Sequence, residues 1–246
     1  MNAEELLKIS GHILEDLQGL IRGATPPQAG AKNLQLRLVL TIAEQFEATL
    51  KLSNAHISTH AATHVRSMIE ALVTMKMLEQ EQDAYIEQMR YEQLRGEKRV
   101  YEAILADSEL PEDVKRPIRV RLSTCKPSYD TLHAAGLRPK RIADDFGKTG
   151  LSHLVGPYAM LCNFTHNDLS TLAFRHGDKG GMIYRAEDSP QLLTSIFSSA
   201  LQVVMAATHR FGELAKFADG HFESIFEQMN IKWRRILDDR VEPKAT

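Results

Sequence analysis

The sequence predicts an all-α protein, a multi-helix bundle with an irregular, proline-containing insertion at about residues 107–149. Apolar residues recur with helical spacing along most of the chain, no segment alternates cleanly as a strand would, and prolines cluster at 111–127. With 43% apolar and 25% charged residues, the composition is ordinary for a globular protein. We therefore expect one α-helical domain over residues 1–246, with its core bundle at about 33–106 and 150–238.

The amino-terminal third predicts three helices in succession. The first covers about residues 2–21, where leucines and isoleucines share one face and Asn2 can cap the amino terminus. A loop at 23–30 follows, because glycines and two adjacent prolines break the helical pattern. Residues 33–78 are again helical in period, but cap-type residues near 53–59 predict two helices that meet there.

A charged helix and a proline-rich region come next. We predict a helix at about 83–106, rich in charge and in tyrosine. Because proline removes a backbone donor and clashes with the preceding turn, residues 111–135 are expected to form only short helical pieces. Residues 138–146 predict one more short helix, which Gly147 ends. The prolines behind this prediction are Pro111, Pro117 and Pro127.

The carboxy-terminal part predicts three further helices. One covers about residues 150–174, with Pro157 either kinking it or marking its first turn. The glycine-bearing stretch 175–189 predicts a loop or a short hairpin. Ser189 followed by Pro190 is typical of a helix start, and a last helix is expected at about 221–238.

Charge and cysteine usage narrow the function classes. The net charge is −2, so only local basic runs at 98–99, 116–121 and 138–141 are candidates for binding nucleic acid. Cys125 and Cys162 are isolated, which argues against a thiol zinc site and fits a reducing compartment. The acidic start and the lack of an apolar run of roughly 18 residues predict a cytoplasmic protein with no membrane partner. Since phosphate-loop and dinucleotide motifs are missing, no cofactor is predicted.

Two groups of polar residues interrupt apolar helix faces. Arg66 and Glu70 lie four residues apart, close enough to pair, and a structural ion pair between helices is the alternative to a functional one. Asn163 and His166 are three residues apart, with Tyr158 two turns before the histidine. Histidine is suited to acid–base work near neutral pH, although a buried, hydrogen-bonded histidine fits the pattern equally well. These five residues are the candidate catalytic set.

Two further patterns carry weaker signals. His56, His60 and His64 repeat every four residues, so His60 and His64 are candidate metal ligands, but two ligands specify a metal weakly and a solvated face is the alternative. A second string mixes aromatics with cations, as nucleic-acid-binding surfaces do, although glutamates between them favour an ordinary exposed helix. Its candidate nucleic-acid-binding residues are Tyr91, Arg95, Lys98 and Arg99.

The spacing of these groups resembles a bacterial family of helical proteins, domain of unknown function 5677. In that family a helix reads approximately Arg-Ser-x-x-Glu-Ala, a charged tyrosine-bearing helix follows, and a later helix carries a tyrosine and then a histidine two turns on. The matching stretches here are 65–71, 91–101 and 158–166, and the resemblance covers about residues 35–175.

The resemblance implies a general plan like that of HEPN-type bundles, which occur in bacterial toxin–antitoxin and phage-defence systems. Many of those are RNases whose motif places an arginine four to six residues before a histidine. Here the positions before His166 where that arginine would stand are 159–161, and they hold Ala, Met and Leu. RNase activity therefore requires Arg66, from another helix, to replace the missing cation.

Three functions remain open on the sequence. A non-catalytic module that binds nucleic acid, a partner protein or a small ligand around an Arg-Glu-His centre is the first expectation. A metal-independent RNase or phosphodiesterase using His166 and Arg66 is the second. A histidine-ligated metalloprotein is the third. The apolar face of the last helix can form either a homodimer interface or part of the core. It carries Phe222, Phe226, Met229 and Trp233.

Overall fold

The computed structural model describes residues 2–166, 169–178, 181–184 and 189–241, and within them the fold is almost entirely helical. The predicted all-α, multi-helix bundle is confirmed. The helices are α1 Ala3–Gly23, α2 Gly30–Asn54, α3 Ser58–Glu81, α4 Asp83–Ala106, α5 Glu112–Ala134, α6 Val155–Thr165, α7 Leu169–His176, α8 Pro190–Leu214 and α9 His221–Val241. Two 3₁₀ turns lie at Ile142–Asp145 and Ser152–Leu154, and strands β1 Gly177–Asp178 and β2 Gly181–Met182 pair antiparallel.

The predicted helix starts and breaks follow from local chemistry. The Asn2 side chain accepts a hydrogen bond from the backbone N–H of Glu5 at 2.8 Å, and Ser189 accepts one from that of Leu192 at 3.1 Å. The two helices expected to meet near residues 53–59 do so, with a turn at His56 that has a φ of +56°. Helix α4 has the predicted bounds, and the possible hairpin after residue 175 is formed by β1 and β2.

The core lies where α1, α2, α3 and α8 pack together, with α6 and α9 against them. Phe46, Ile69 and Phe197, from three different helices, are completely buried. Helix α1 belongs to this core through Ile13 and Leu20, although the expected core bundle began only at residue 33. We call this assembly the main bundle.

Helix α8 is long and apolar enough to cross a membrane by length and composition alone. Its most apolar window is 67% buried inside the fold, as in the central helix of a globular core. Arg210 near its end forms an ion pair with Glu79 of α3 at 3.1 Å and a hydrogen bond to Gln35 of α2 at 2.9 Å. The apolar length of α8 is thus used for packing against α2 and α3.

Helices α4 and α5 form an antiparallel pair, the α4–α5 arm, defined as residues 83–134. Among the described residues, α4 packs on α3 and α2 of the main bundle through Tyr85, Ile86 and Met89 of its first turns. The buried side chains of the arm all lie in its half next to the bundle: Tyr85, Gln88, Tyr91, Cys125 and Leu132. The rest of the arm therefore presents most of its surface to solvent.

The expectation of short helical pieces at 111–135 is wrong, because α5 is one helix that contains Pro117 and Pro127. Both prolines lie on its exposed side, where the carbonyls that they leave without a donor can face solvent. Apolar residues on the opposite side pack along α4 and hold the helix together. These residues are Ile118, Leu122, Cys125, Tyr129 and Leu132.

Two other predicted helices are shorter than expected. Of residues 138–146, only Ile142–Asp145 forms a 3₁₀ turn. Pro139 disfavours a helical conformation at Arg138, and the Lys140 N–H bonds the Glu92 carboxylate at 2.8 Å. The helix expected at 150–174 is divided into α6 and α7. Pro157 falls in the first turn of α6, which was one of the two predicted roles.

Candidate functional site

The structure brings Arg66, Glu70 and Tyr158 together between α3 and α6. Arg66 and Glu70 are one turn apart on α3, and Arg66 Nη2 lies 2.9 Å from Glu70 Oε1. The Tyr158 hydroxyl, from the first half of α6, donates to the same Glu70 oxygen at 2.8 Å. Arg66 Nη2 also approaches the Tyr158 hydroxyl at 3.4 Å, and its guanidinium lies 5.6 Å from the Tyr158 ring centre. We call these residues the Arg66–Glu70–Tyr158 cluster.

The surroundings of the cluster favour its neutral tyrosine and its charged arginine. Burial raises the pKa of Tyr158 to about 12, and the neighbouring Glu70 carboxylate acts in the same direction. The hydrogen bond with Tyr158 raises the pKa of Arg66 above its ordinary value. Phe146 packs against the Tyr158 ring with a centroid distance of 5.3 Å. At neutral pH the cluster therefore has no deprotonated tyrosine to act as a base. One polar atom of the cluster, Arg66 Nε, is buried without a hydrogen-bond partner among the described residues.

Asn163 and His166 do not join this cluster in the part of the chain that the structure describes. Both side chains are exposed, and His166 follows the last residue of α6. Because Tyr158 and His166 are eight residues apart, they are separated by roughly 12 Å along the helix axis. Tyr158 therefore lies apart from Asn163 and His166, although their spacing had placed all three in one candidate catalytic set.

Two members of the histidine repeat, His60 and His64, lie on α3, and His56 lies in the turn before it. His64 Nδ1 lies 2.5 Å from the Gln45 side-chain oxygen of α2, and burial lowers the pKa of His64. Within the described residues, no group of three or more His, Cys, Asp or Glu side chains could hold a metal ion. His60 and His64 thus remain a sequence-based prediction, and the geometry gives His64 a helix-packing contact.

The aromatic and cationic string on α4 is mostly engaged within the arm. Tyr91 is completely buried and stacks on Tyr129 at 5.3 Å, while its hydroxyl lies 3.0 Å from His133 Nδ1. A buried ring cannot stack on a base, so that role predicted for Tyr91 does not fit the geometry. Arg95 pairs with Glu92 and Lys98 with Glu102, each at 2.9 Å, whereas Arg99 is exposed and forms no ion pair among the described residues.

Helix α5 carries the basic run 116–121, which the charge pattern made a candidate for binding nucleic acid but which was not among the named binding residues. Arg116 and Arg121 are exposed and Lys115 is half-exposed, and none of the three forms an ion pair with another described residue. Arg119 pairs with Glu112, and Lys126 pairs with Asp130 at 2.7 Å. The sequence did contain the signal, because residues 114–129 hold five Lys or Arg and no Asp or Glu.

A cleft of about 350 Å³ lies between the base of the arm and the segment that follows α5. Gln88 Nε2 donates to the Arg138 carbonyl at 3.0 Å, and Gln80 Nε2 donates to the Lys148 carbonyl at 3.1 Å. These bonds hold the non-helical segment over α3 and α4 as one wall of the cleft. The lining residues are Thr74, Tyr85, Gln88, Met89, Glu92, Lys140, Ile142 and Asp145.

Comparison with known proteins identifies one family. A model described as a family of unknown function, DUF5677, matches residues 32–183, which is more than half of the chain. No curated protein and no solved structure gives a significant match. The matched range contains the Arg66–Glu70–Tyr158 cluster, the α4–α5 arm and the cleft, whereas α1, α8 and α9 lie outside it.

Proposed function

This chain belongs to DUF5677, a family of unknown function, and we propose that it is a non-catalytic helical module that binds nucleic acid along α5. The observation behind the proposal is the stretch 114–129, which holds five cations and no carboxylate on a helix exposed over most of its surface. Such a stretch attracts phosphates even though the net charge of the whole chain is −2.

The geometry of α5 suits contacts with a phosphate backbone. Residues 115–126 span roughly 17 Å of helix, and their cations lie on exposed positions of a projecting arm. Contacts with phosphates do not distinguish one base sequence from another. The buried Tyr91 ring is also not accessible for stacking on a base. The proposed binding is therefore tolerant of sequence and strongly dependent on salt concentration.

The Arg66–Glu70–Tyr158 cluster supports the non-catalytic form of the proposal. Glu70 already accepts from both partners, so its role is to hold α6 on α3. An RNase using Arg66 and His166 would need both groups at one phosphate, and the exposed His166 is roughly two helical turns beyond Tyr158. The resemblance to HEPN-type bundles leads us to include a bacterial defence or toxin–antitoxin system in the proposal, as the setting in which the protein acts.

The test is binding of a fluorescently labelled single-stranded RNA of mixed sequence, followed by anisotropy at several salt concentrations. The variant K115E/R116E/R121E reverses the three cations on α5 that lack an ion pair within the described residues. Positions 115 and 116 lie near the amino-terminal end of α5, where acidic side chains are favourable, and position 121 is exposed, so α5 should still form. We expect affinity to fall at least about tenfold and the salt dependence to flatten by about three counterions.

A matched control separates a local site from overall charge. The variant K8E/R37E/R234E changes the net charge by the same amount, using exposed cations of the main bundle that form no ion pair with a described residue. It should retain affinity within about twofold at moderate salt, where screening limits distant charges. Equal losses in both variants, or no binding by the unmodified protein, would contradict the proposal.

A further inference from the structure

The cleft at the base of the arm combines an apolar floor with one cation that has no carboxylate partner. Tyr85, Met89 and Ile142 supply the apolar surface, and Lys140 is exposed at its edge. Lys140 Nζ lies 5.5 Å from the centre of the Tyr85 ring and forms no ion pair among the described residues. An ammonium group above an aromatic face is attracted to it but keeps its hydrogen-bond donors available.

The two carboxylates in the lining have other partners. Glu92 pairs with Arg95 at 2.9 Å and accepts the backbone N–H of Lys140 at 2.8 Å. Asp145 is 1% exposed, accepts the Tyr85 hydroxyl at 3.2 Å and lies 3.8 Å from the ammonium of Lys148. Asp145 Oδ1 has no hydrogen-bond partner among the described residues, but Asp145 is shielded from a ligand by its burial. Because Glu92 is already engaged by Arg95, the exposed ammonium of Lys140 is the charged group that a ligand in the cleft meets.

We propose that this cleft binds a small anion with a flat aromatic body, its ring against Met89 and Ile142 and its anionic group on Lys140. The volume of about 350 Å³ is near the lower limit for small-molecule sites, so it fits one or two fused rings. A mononucleotide and an aromatic carboxylate share this chemistry. The site does not rest on nucleic-acid binding, because Lys115, Arg116 and Arg121, the cations tested on α5, lie in the outer half of the arm.

Isothermal titration of the full chain tests the proposal with two probes, AMP and indole-3-acetate, each beside a neutral analogue, adenosine and indole. We expect millimolar or tighter binding of at least one anion, about tenfold tighter than its neutral analogue. Tighter binding of AMP would indicate a mononucleotide as the ligand, and tighter binding of indole-3-acetate would indicate an aromatic carboxylate. Either result supports an aromatic anion as the class of ligand.

Variants locate the binding within the cleft. K140Q removes the cation and should weaken the anion about tenfold, while M89W fills the half-buried floor and should abolish binding. R141Q, a change of an exposed cation one residue away that does not line the cleft, should bind within about twofold of the unmodified protein. Circular dichroism checks that each variant is folded.

Three results would overturn the proposal. The first is no binding of either anion at millimolar concentration, and the second is undiminished binding by K140Q. The third is an equal loss in K140Q and R141Q, since that would show attraction to the general charge of the segment. RNA binding by the unmodified protein and by K140Q is measured in parallel, so that a failure here is distinguishable from a failure on α5.

Discussion

The main bundle and the α4–α5 arm are built from helices of similar length but bury very different fractions of their surface. In the bundle, α8 alone has fourteen buried residues among the twenty-five that form it. In the arm, α4 and α5 have five buried residues between them, all near the bundle. The difference indicates that stability resides in the bundle, while the outer arm is free to present charge.

The largest expected effect is a loss of unfolding free energy when a side chain is truncated in the main bundle, and the same kind of truncation in the arm should cost much less. Phe197→Ala removes a completely buried ring that packs edge-on against Phe46 at 6.4 Å, and should cost about 3–5 kcal/mol of unfolding free energy. Ile118→Ala, on the half-buried inner face of α5, should cost about 1 kcal/mol or less. Urea unfolding followed by circular dichroism measures both, and similar costs would refute the comparison.

A smaller effect is expected at the junction of α3 and α6. Tyr158→Phe removes one hydrogen bond to the Glu70 carboxylate at a half-buried position, and should cost about 1 kcal/mol. Chemical denaturation at neutral pH measures it. If the variant instead has unchanged stability, the cluster does not hold α6 on α3, and its polar groups would need another explanation.

Tyr158→Phe should also change how the stability of the protein depends on pH in the alkaline range. Tyrosine ionises near pH 10 in an unfolded chain, whereas burial raises the pKa of Tyr158 to about 12 in the folded protein. The unfolded state therefore loses its proton first, and stability should fall between pH 10 and about 12. Because other groups titrate there, the measured quantity is the difference between the two proteins, and Tyr158→Phe should lose less stability across this window.

The smallest expected change in global stability comes from a proline of the arm. Pro127→Ala returns a backbone donor to α5 and should slow amide exchange in residues near 123–131 by about tenfold. The midpoint of global unfolding should hardly move, because the bundle determines it. A large rise in that midpoint would show that arm and bundle unfold together. Pro157→Ala, in the first turn of α6, is the matched control and should leave exchange in the arm unchanged.

Features of the fold that depend on neighbouring residues could be predicted from the sequence. The caps at Asn2 and Ser189 and the bounds of α4 were predicted because their determinants lie within a few residues. Helix α5 was not, since the cost of its prolines is offset by packing on α4 that local patterns do not show. The apolar spacing from Ile118 to Leu132 was nevertheless visible.

The candidate site likewise has features that local sequence predicts and features that depend on the tertiary fold. The Arg66–Glu70 pair follows from four-residue spacing, but Tyr158 reaches it from 88 residues beyond Glu70, and only the tertiary fold shows that contact. The burial of Tyr91 depends on stacking with Tyr129 of α5. Short helical pieces at 111–135 would not predict that contact. The wrong expectation for Tyr91 therefore followed from the wrong expectation for α5, whereas Asn163 and His166 are separated from Tyr158 by their positions along α6.

Helix α4 also has a mechanical consequence. It runs without interruption for 24 residues, roughly 36 Å, from its seat on the bundle to the tip of the arm. Treated as a rigid lever fixed at Tyr85, a tilt of about 5° at the base displaces the tip by about 3 Å. A shift too small to disturb the packing around the cleft is thereby magnified into a movement as large as a hydrogen bond at the far end.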